Sequence, residues 1–314
     1  MAVSVVIPAY NAAAFVGEAV ASVLAQTRDT FEIVVVDDGS TDATAAVATA
    51  SGDPRIRCVR QENRGIAAAR RTGTDHARHD LICYLDADDR LTPTALATLE
   101  DALRAQPEAV LAYADNVRID LAGRPLTREG SLKARVRGLL PRRRRPSGDV
   151  TAAFLRENHL VNGGVAVVRK DAVIATECWR ESFEVSEDWA AWVLLSTAGR
   201  FVRVPGFVAL EYRVVPGGSS HTWMSKAAGY GRTVEQVFAD PRIALCVPAR
   251  ERERLRRLRL AHAQLYIASL HVNHGDVPGS RAPFLAALRL APLQLPQLAL
   301  RYLAVLAAHR LNRA

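Results

Sequence analysis

Two stretches of this sequence end in the same way: a short, wholly apolar run stops at a cluster of carboxylates. Residues 32–42 read EIVVVDDGSTD, and residues 81–89 read LICYLDADD. A strand with one wet face alternates apolar and polar residues. These runs do not, so each needs cover on both faces, as in a parallel sheet flanked by helices. The surrounding segments fit that demand. Val3–Ile7 is a third apolar run, Ile56–Val59 a weaker one and Ala109–Tyr113 a fifth. Between them, Ala12–Gln26 carries Phe15, Ala19, Val23 and Leu24 at helical spacing, and Ala43–Ala50, Gly65–Arg78 and Thr94–Leu103 read as helices. The alternation predicts an α/β fold with an open, doubly wound, mostly parallel sheet. Such sheets bind ligands beyond the carboxyl ends of their strands. Pro8–Asn11, Asp37–Ser40 and Asp86–Asp89 all fall at those ends, so one crevice should collect them.

The pattern breaks at residues 116–149, a stretch rich in Gly and Pro that contains Arg142 to Arg145 and reads as a basic insertion. Order resumes over 150–220, with strands at Gly164–Val168, Phe201–Val204 and Phe207–Arg213 and a helix after Ser186. Residues 221–314 read as a mainly helical C-terminal region, in which Leu255, Leu258, His262, Leu265 and Ser269 share an imperfectly apolar face. The expected organisation is a catalytic domain over 1–220, its first 115 residues forming a nucleotide-binding half, followed by this appendage.

Charge sharpens the division. The net charge is +8; residues 121–150 contribute +7 and residues 249–314 contribute +8, leaving −7 for the rest. The part expected to carry chemistry is acidic, which suits a metal site better than a nucleic-acid groove. The Arg142–Arg145 run lacks the interleaved aromatics that stack on bases, so no nucleic-acid partner is expected. It and the Arg-rich tail either dock on an anionic inner membrane surface or are solvated and packed. Cys58, Cys83, Cys178 and Cys246 show no CxxC pairing, as in a reduced compartment with Cys58 and Cys83 buried in strands. No apolar run reaches ~18 residues; Leu290–Ala308 is interrupted by Pro292, Pro296 and Arg301. The expectation is a cytoplasmic protein.

Several residues have two readings. Asp86 and Asp88 are alternate residues beyond a strand, able to face one way and offer hard oxygen ligands to Mg²⁺ or Mn²⁺; equally, the cluster is a polar turn before a helix. Asp37-Asp38-Gly39-Ser40 is a capping turn or supplies a carboxylate to a base N–H. Tyr10 packs locally or stacks on a nucleobase. Glu187-Asp188-Trp189 is an acidic first helical turn or holds a general base.

Together, VSVVIPAYN at 3–11, EIVVVDDGSTD, Asn63-Arg64-Gly65 with Ala69-Arg70, LDADD and Glu187-Asp188 resemble, in order and spacing, glycosyltransferase family 2 of the GT-A fold. The resemblance is strongest over residues 3–115. It implies an inverting, metal-dependent transfer of a sugar from a nucleotide-diphosphate donor, UDP- or dTDP-linked, to a hydroxyl of a glycan, glycolipid or protein. By residue, it implies that Pro8, Tyr10 and Asp38 hold the base and that Arg70 assists the nucleotide. Asp86 contacts ribose and metal, Asp88 is the more direct ligand of a divalent cation (Mg or Mn), and Asp188 is the catalytic base. Glu187, Asn162, Trp189, Arg213 and His221 are further candidates on the acceptor side or in a closing loop that includes Gly217, Gly218 and Ser219. The chain departs from the family pattern at Arg71, at Val214–Pro216, where members carry a His, and at Gly163-Gly164. The competing readings are a catalytically inactive sugar-nucleotide binder and a nucleotidyltransferase. The latter needs a Gly-rich phosphate loop after the first strand, and Ala9–Ala14 contains no glycine.

Overall fold

All seven residues of Val3–Ala9 and all eight of Phe31–Asp38 are buried, the two aspartates included. These are β1 and β2, neighbours in an eight-stranded sheet in a computed structural model that describes residues 2–126, 145–160, 162–183, 185–215 and 227–311. The other strands are β3 (Ile56–Gln61), β4 (Leu81–Tyr84), β5 (Arg90–Leu91), β6 (Ala109–Ile119), β7 (Ala166–Arg169) and β8 (Arg200–Arg213). The sheet order is β3-β2-β1-β4-β7-β6-β8-β5. From β3 to β4 all pairings are parallel, as continuous apolar strands require. β7 then runs antiparallel to both β4 and β6, while β6 and β8 are parallel and β5 is antiparallel to β8. The sheet is therefore mixed, and β7 marks the seam between its halves.

Helices α1 (Val16–Leu24), α2 (Thr44–Thr49), α3 (Ile66–His76) and α4 (Ala95–Arg104) follow the strands of the first half. They are joined by α5 (Thr151–Arg156), α6 (Lys170–Thr176) and α7 (Glu187–Leu195) in the second. The C-terminal part comprises α8 (Ala227–Ala239), α9 (Pro241–Cys246), α10 (Ala249–Asn273), α11 (Arg281–Leu290) and α12 (Leu295–Leu311).

Two boundaries differ from the sequence reading. The insertion does not begin at 116: β6 extends to Ile119 because it pairs along its length with β8, which is one bulged strand rather than two. Residues 127–144, with Arg142–Arg144, lie outside the described residues, as do residues 216–226 with Gly217, Gly218, Ser219 and His221. Nor is 221 the edge of a separate appendage. Tyr230, Val234, Phe238, Ile243, Leu255 and Ala263 belong to the same apolar core as the sheet; a second, smaller core gathers Leu258, Leu265, Val272 and Tyr302. Every cysteine is free; Cys83 is buried as expected, but Cys58 only partly, because β3 is the sheet edge. Among the described residues no helix is long and apolar enough to cross a membrane.

Candidate active site

The carboxyl ends of β1, β2 and β4 meet as expected, and hydrogen bonds lock the loops to each other. Asn11, at φ 48°, donates its N–H to Ser40 Oγ (3.0 Å) and accepts from the Thr41 N–H (2.9 Å). Gly39 lies at φ 78° with its α-carbon face against the Asn63 backbone, where a Cβ would come within 2.9 Å; only glycine suits that turn. Asp38 is buried and accepts from Gln61 Nε2 (2.7 Å), Arg64 N–H (3.0 Å) and Gly65 N–H (2.8 Å). A carboxylate has about four acceptor positions, so Asp38 fixes the loop before α3 and keeps one position for another donor. Pro8 is buried in β1, and Tyr10 projects into solvent, 52% exposed.

The loop after β4 is wired more tightly. Asp86 Oδ1 accepts from Arg70 Nη2 (2.9 Å) and its Oδ2 from Asn162 Nδ2 (2.8 Å). The same Asn162 amide donates to Asp89 Oδ2, and Asp89 Oδ1 accepts the Arg213 N–H (2.7 Å). Asn162 holds this position because its own Oδ1 caps a short 3₁₀ turn at Gly163–Val165. That turn lies flat on β4: a Cβ on Gly163 would stand 2.6 Å from the Tyr84 carbonyl oxygen, which explains the glycine. Asp88 is the exception. Its backbone carbonyl accepts from Arg213 Nε (2.8 Å), but its carboxylate takes no hydrogen bond from another residue among those described.

These environments set the charges. Burial, then Asp86, raise Asp88 to about 6; burial, then Asp86 and Asp88, raise Asp89 well above the usual carboxylate range. No cluster of three or more potential metal-ligating side chains exists among the described residues. Magnesium and manganese sites at substrate phosphates commonly use only one or two carboxylates, and Asp88 fits that role. Asp86 fits it less directly, since both its oxygens already hold donors.

Arg70, in α3, connects this wall to the opposite one. Its side chain is 3% exposed, lies 4.7 Å from the Trp179 ring and donates Nη1 to Glu187 Oε1 (3.2 Å) while Nη2 holds Asp86. One guanidinium therefore spans the distance between the β4 loop and the first turn of α7. Asp188, the next residue, accepts from Asn158 Nδ2 (3.0 Å) and from the Trp189 N–H (2.6 Å). Burial and the neighbouring Glu187 raise it to about 7, against the lowering effect of these donors and of Arg70.

Two sequence candidates, and one departure from the family pattern, take other places. Trp189 is fully buried, its Nε1 donating to the Phe154 carbonyl (2.7 Å), so it is a packing residue and cannot meet an acceptor. Arg213 ends β8 instead of lying in a mobile loop. Its buried guanidinium joins Glu18 Oε2 (2.6 Å) to the Leu121 and Asp88 carbonyls, making it the strut behind the β4 loop. Arg71, one of the departures from the family pattern, is exposed on the outside of α3, away from the cleft. Asn158 was not anticipated, and Asp89, though part of the LDADD stretch, was given no role of its own: each acts through partners distant in sequence.

The fold is that of GT-A glycosyltransferases. The chain belongs to the family described as Glycosyl transferase family 2, whose sequence model matches residues 4–173. It is 37% identical over 123 residues to a chondroitin synthase of Escherichia coli, covering 38% of this chain and 18% of that protein. It is 40% identical over 126 residues to the succinoglycan biosynthesis protein ExoO of Rhizobium meliloti, covering 40% and 36%. The chain thus spans well under half the length of these relatives. Among solved structures it resembles S. aureus TarS 1-349 in complex with UDP-GlcNAc (TM-score 0.60, 14% identity, 99% of this chain and 90% of that one). It also resembles the mannosyltransferase PcManGT from Pyrobaculum calidifontis in complex with GDP-Man and Mn²⁺ (TM-score 0.58, 21% identity, 98% and 86%). At these identities the likeness establishes the fold.

Proposed function

We propose that this glycosyltransferase moves a sugar from a UDP- or dTDP-linked donor to an acceptor hydroxyl, with inversion at the anomeric carbon, in the synthesis of a polysaccharide, glycolipid or glycoprotein. The observation that carries this reading is Arg70, whose single guanidinium holds Asp86 on one wall and Glu187 on the other. It brings a diphosphate-side carboxylate loop and a proton-accepting carboxylate into one cleft.

Tyr10 offers its exposed ring to the base, and Asp38 offers its remaining acceptor position to a base N–H. Asp188 takes the proton of the acceptor hydroxyl. The acceptor oxygen bonds to the anomeric carbon from the face opposite the donor diphosphate. The bond from that carbon to the diphosphate oxygen breaks, and the nucleoside diphosphate leaves with the electron pair. Asp88 would hold a divalent cation, Mg²⁺ or Mn²⁺, which would neutralise the charge that develops on the diphosphate. Asn162, Arg70 and Arg213 keep Asp86, Asp88 and Asp89 in place during the step.

A panel of UDP-, dTDP- and GDP-sugars, assayed for nucleoside diphosphate release with and without Mn²⁺, tests the reading. The expected result is Mn²⁺-dependent release from one uridine or thymidine donor. Asp88→Ala should lower turnover by about 10²–10³, the usual cost of losing a stabiliser of a developing anion, and abolish the Mn²⁺-dependent part of nucleotide affinity. Binding without release from any donor would make the chain a sugar-nucleotide binder; equal affinity with and without Mn²⁺ would remove Asp88 from the metal site.

A further inference from the structure

Asn158 has a second role besides its bond to Asp188: it lines a cavity of about 330 Å³, within the range of small-ligand sites. Ser186, two residues before Asp188, lines it too. The opposite side comes from the C-terminal helices, with Tyr230 of α8 and Arg259, His262 and Tyr266 of α10. The last three lie three and four residues apart, on one face of α10. This accounts for the imperfectly apolar face seen in the sequence: part of it faces a cavity instead of a core.

Arg259 is the unusual member. It is only 6% exposed, its guanidinium carbon lying 4.1 Å from the centre of the Trp189 ring and 5.6 Å from that of Tyr230. Its Nε has no hydrogen-bond partner. Arg70 Nε is likewise without a partner, but the Arg70 guanidinium meets Asp86 and Glu187 and that of Arg213 meets Glu18, whereas Arg259 has no carboxylate partner among the described residues. A buried guanidinium is ordinarily paired, and a planar donor fork suits a carboxylate or phosphate. Tyrosine rings beside it offer apolar faces with a polar edge, which suits a sugar ring. Glu157, at the same cavity, can accept from sugar hydroxyls and disfavours a second anionic group.

We propose that this cavity is the acceptor subsite and that Arg259 selects there an acidic sugar unit, one carrying a carboxylate or a phosphate, so that its free hydroxyl is presented to Asp188. The inference rests on the reading of Asp188 as the base. It gives the C-terminal helices a part in substrate choice, and it makes acceptor selection separable from donor binding at Tyr10, Asp38 and Asp88.

The test uses three probes on the full chain at fixed ionic strength: methyl β-glucuronide, glucose 6-phosphate and neutral methyl β-glucoside. Calorimetry should show one of the two anions binding at least about tenfold more tightly than the glucoside, the size expected of a charge-assisted pair; which anion does so distinguishes a uronate from a phosphate. In Arg259→Met the preference should collapse to within about twofold, and in Arg259→Lys, which keeps the charge, part of it should remain. Equal affinities in the wild type, no measurable binding of either anion, or a preference that survives in Arg259→Met would each overturn the proposal. If Arg259→Met loses its cooperative melt, the wild type decides: Tyr230 and Tyr266 ring resonances should shift with the anionic probe and not with the glucoside, and the reverse overturns it. Failure of the transferase reading shows separately, as absent nucleoside diphosphate release in an assay that contains none of these probes.

Discussion

On the wall built by the loop after β4, Asp86 and Asp89 have their oxygens filled by Arg70, Asn162 and the Arg213 N–H, and the Asp88 carboxylate takes no hydrogen bond from another of the described residues. On the wall built by α7, Glu187 is occupied by Arg70, and Asp188 receives a side-chain amide and a backbone N–H. Each wall thus sets a carboxylate held by Arg70 beside one that Arg70 does not bond, and the surroundings of these two differ. Asp88 has other carboxylates as neighbours, and its charge is disfavoured by burial and by Asp86. A cation relieves that repulsion, so the wall is suited to gathering positive charge. Asp188 has Glu187 on one side but donors on the other, and it titrates at about 7, where a general base works best. The same residue type, placed among carboxylates or beside an amide, becomes a ligand in one case and a proton acceptor in the other.

The comparison fails most visibly if Asp188 is dispensable. Asp188→Asn keeps the shape of the side chain and removes its basicity, so turnover should fall by about 10²–10⁴ while calorimetry shows nucleotide-sugar affinity unchanged. Retained turnover would leave α7 without a chemical role. Lost affinity would mean that this wall also holds the donor.

Arg70 should couple the two walls, and breaking it should affect both at once. Arg70→Met leaves the partly exposed carboxylates of Asp86 and Glu187 without their shared cation, a change that should cost about 1–3 kcal/mol, less than breaking a fully buried pair. Denaturant unfolding should show a loss of that order, with weakened donor binding and slowed turnover together. If only one of the two kinetic effects appears, the walls are held independently and the bridge is not what assembles the cleft.

Much of this architecture was written locally in the chain. Apolar runs such as Ile33–Val36 and Leu81–Leu85 specify buried strands wherever they occur, and the carboxylates after them fall at the strand ends by connectivity alone, so the crevice and its acidic side followed from short segments. The parts that were not legible depend on partners far apart in sequence. Arg213 reads as a strand end leading into a closing loop, and nothing local shows that β8 brings it beside Glu18, 195 positions away. Asp89 looks like part of a cap until Asn162 reaches it from 73 positions away. Trp189, next to the base, looked available to an acceptor because nothing local shows that Phe154 and Arg259 enclose it. The C-terminal helices read as an appendage with an imperfectly apolar face, and only their packing reveals that α8 and part of α10 complete the main core.

Asn158 provides the finest test of the contrast between the walls. Its amide donates to Asp188 Oδ2 at 3.0 Å, which favours the charged carboxylate and pulls its titration point down. As a base Asp188 must be deprotonated, so the rate should rise with pH and level off above about 7. Removing the donor in Asn158→Ala withdraws a stabiliser of the charged form, so the titration point moves up, not down. A hydrogen bond to a charged group contributes about 1.5–3 kcal/mol. Solvent replacing the lost amide recovers part of that, so the acidic limb should move to higher pH by about one unit, equivalent to about 1.4 kcal/mol. Activity well above that pH should then return toward the wild-type level. A rate lowered equally at every pH would instead assign Asn158 to positioning the acceptor, and would place the two carboxylate walls on a more equal footing than their surroundings suggest.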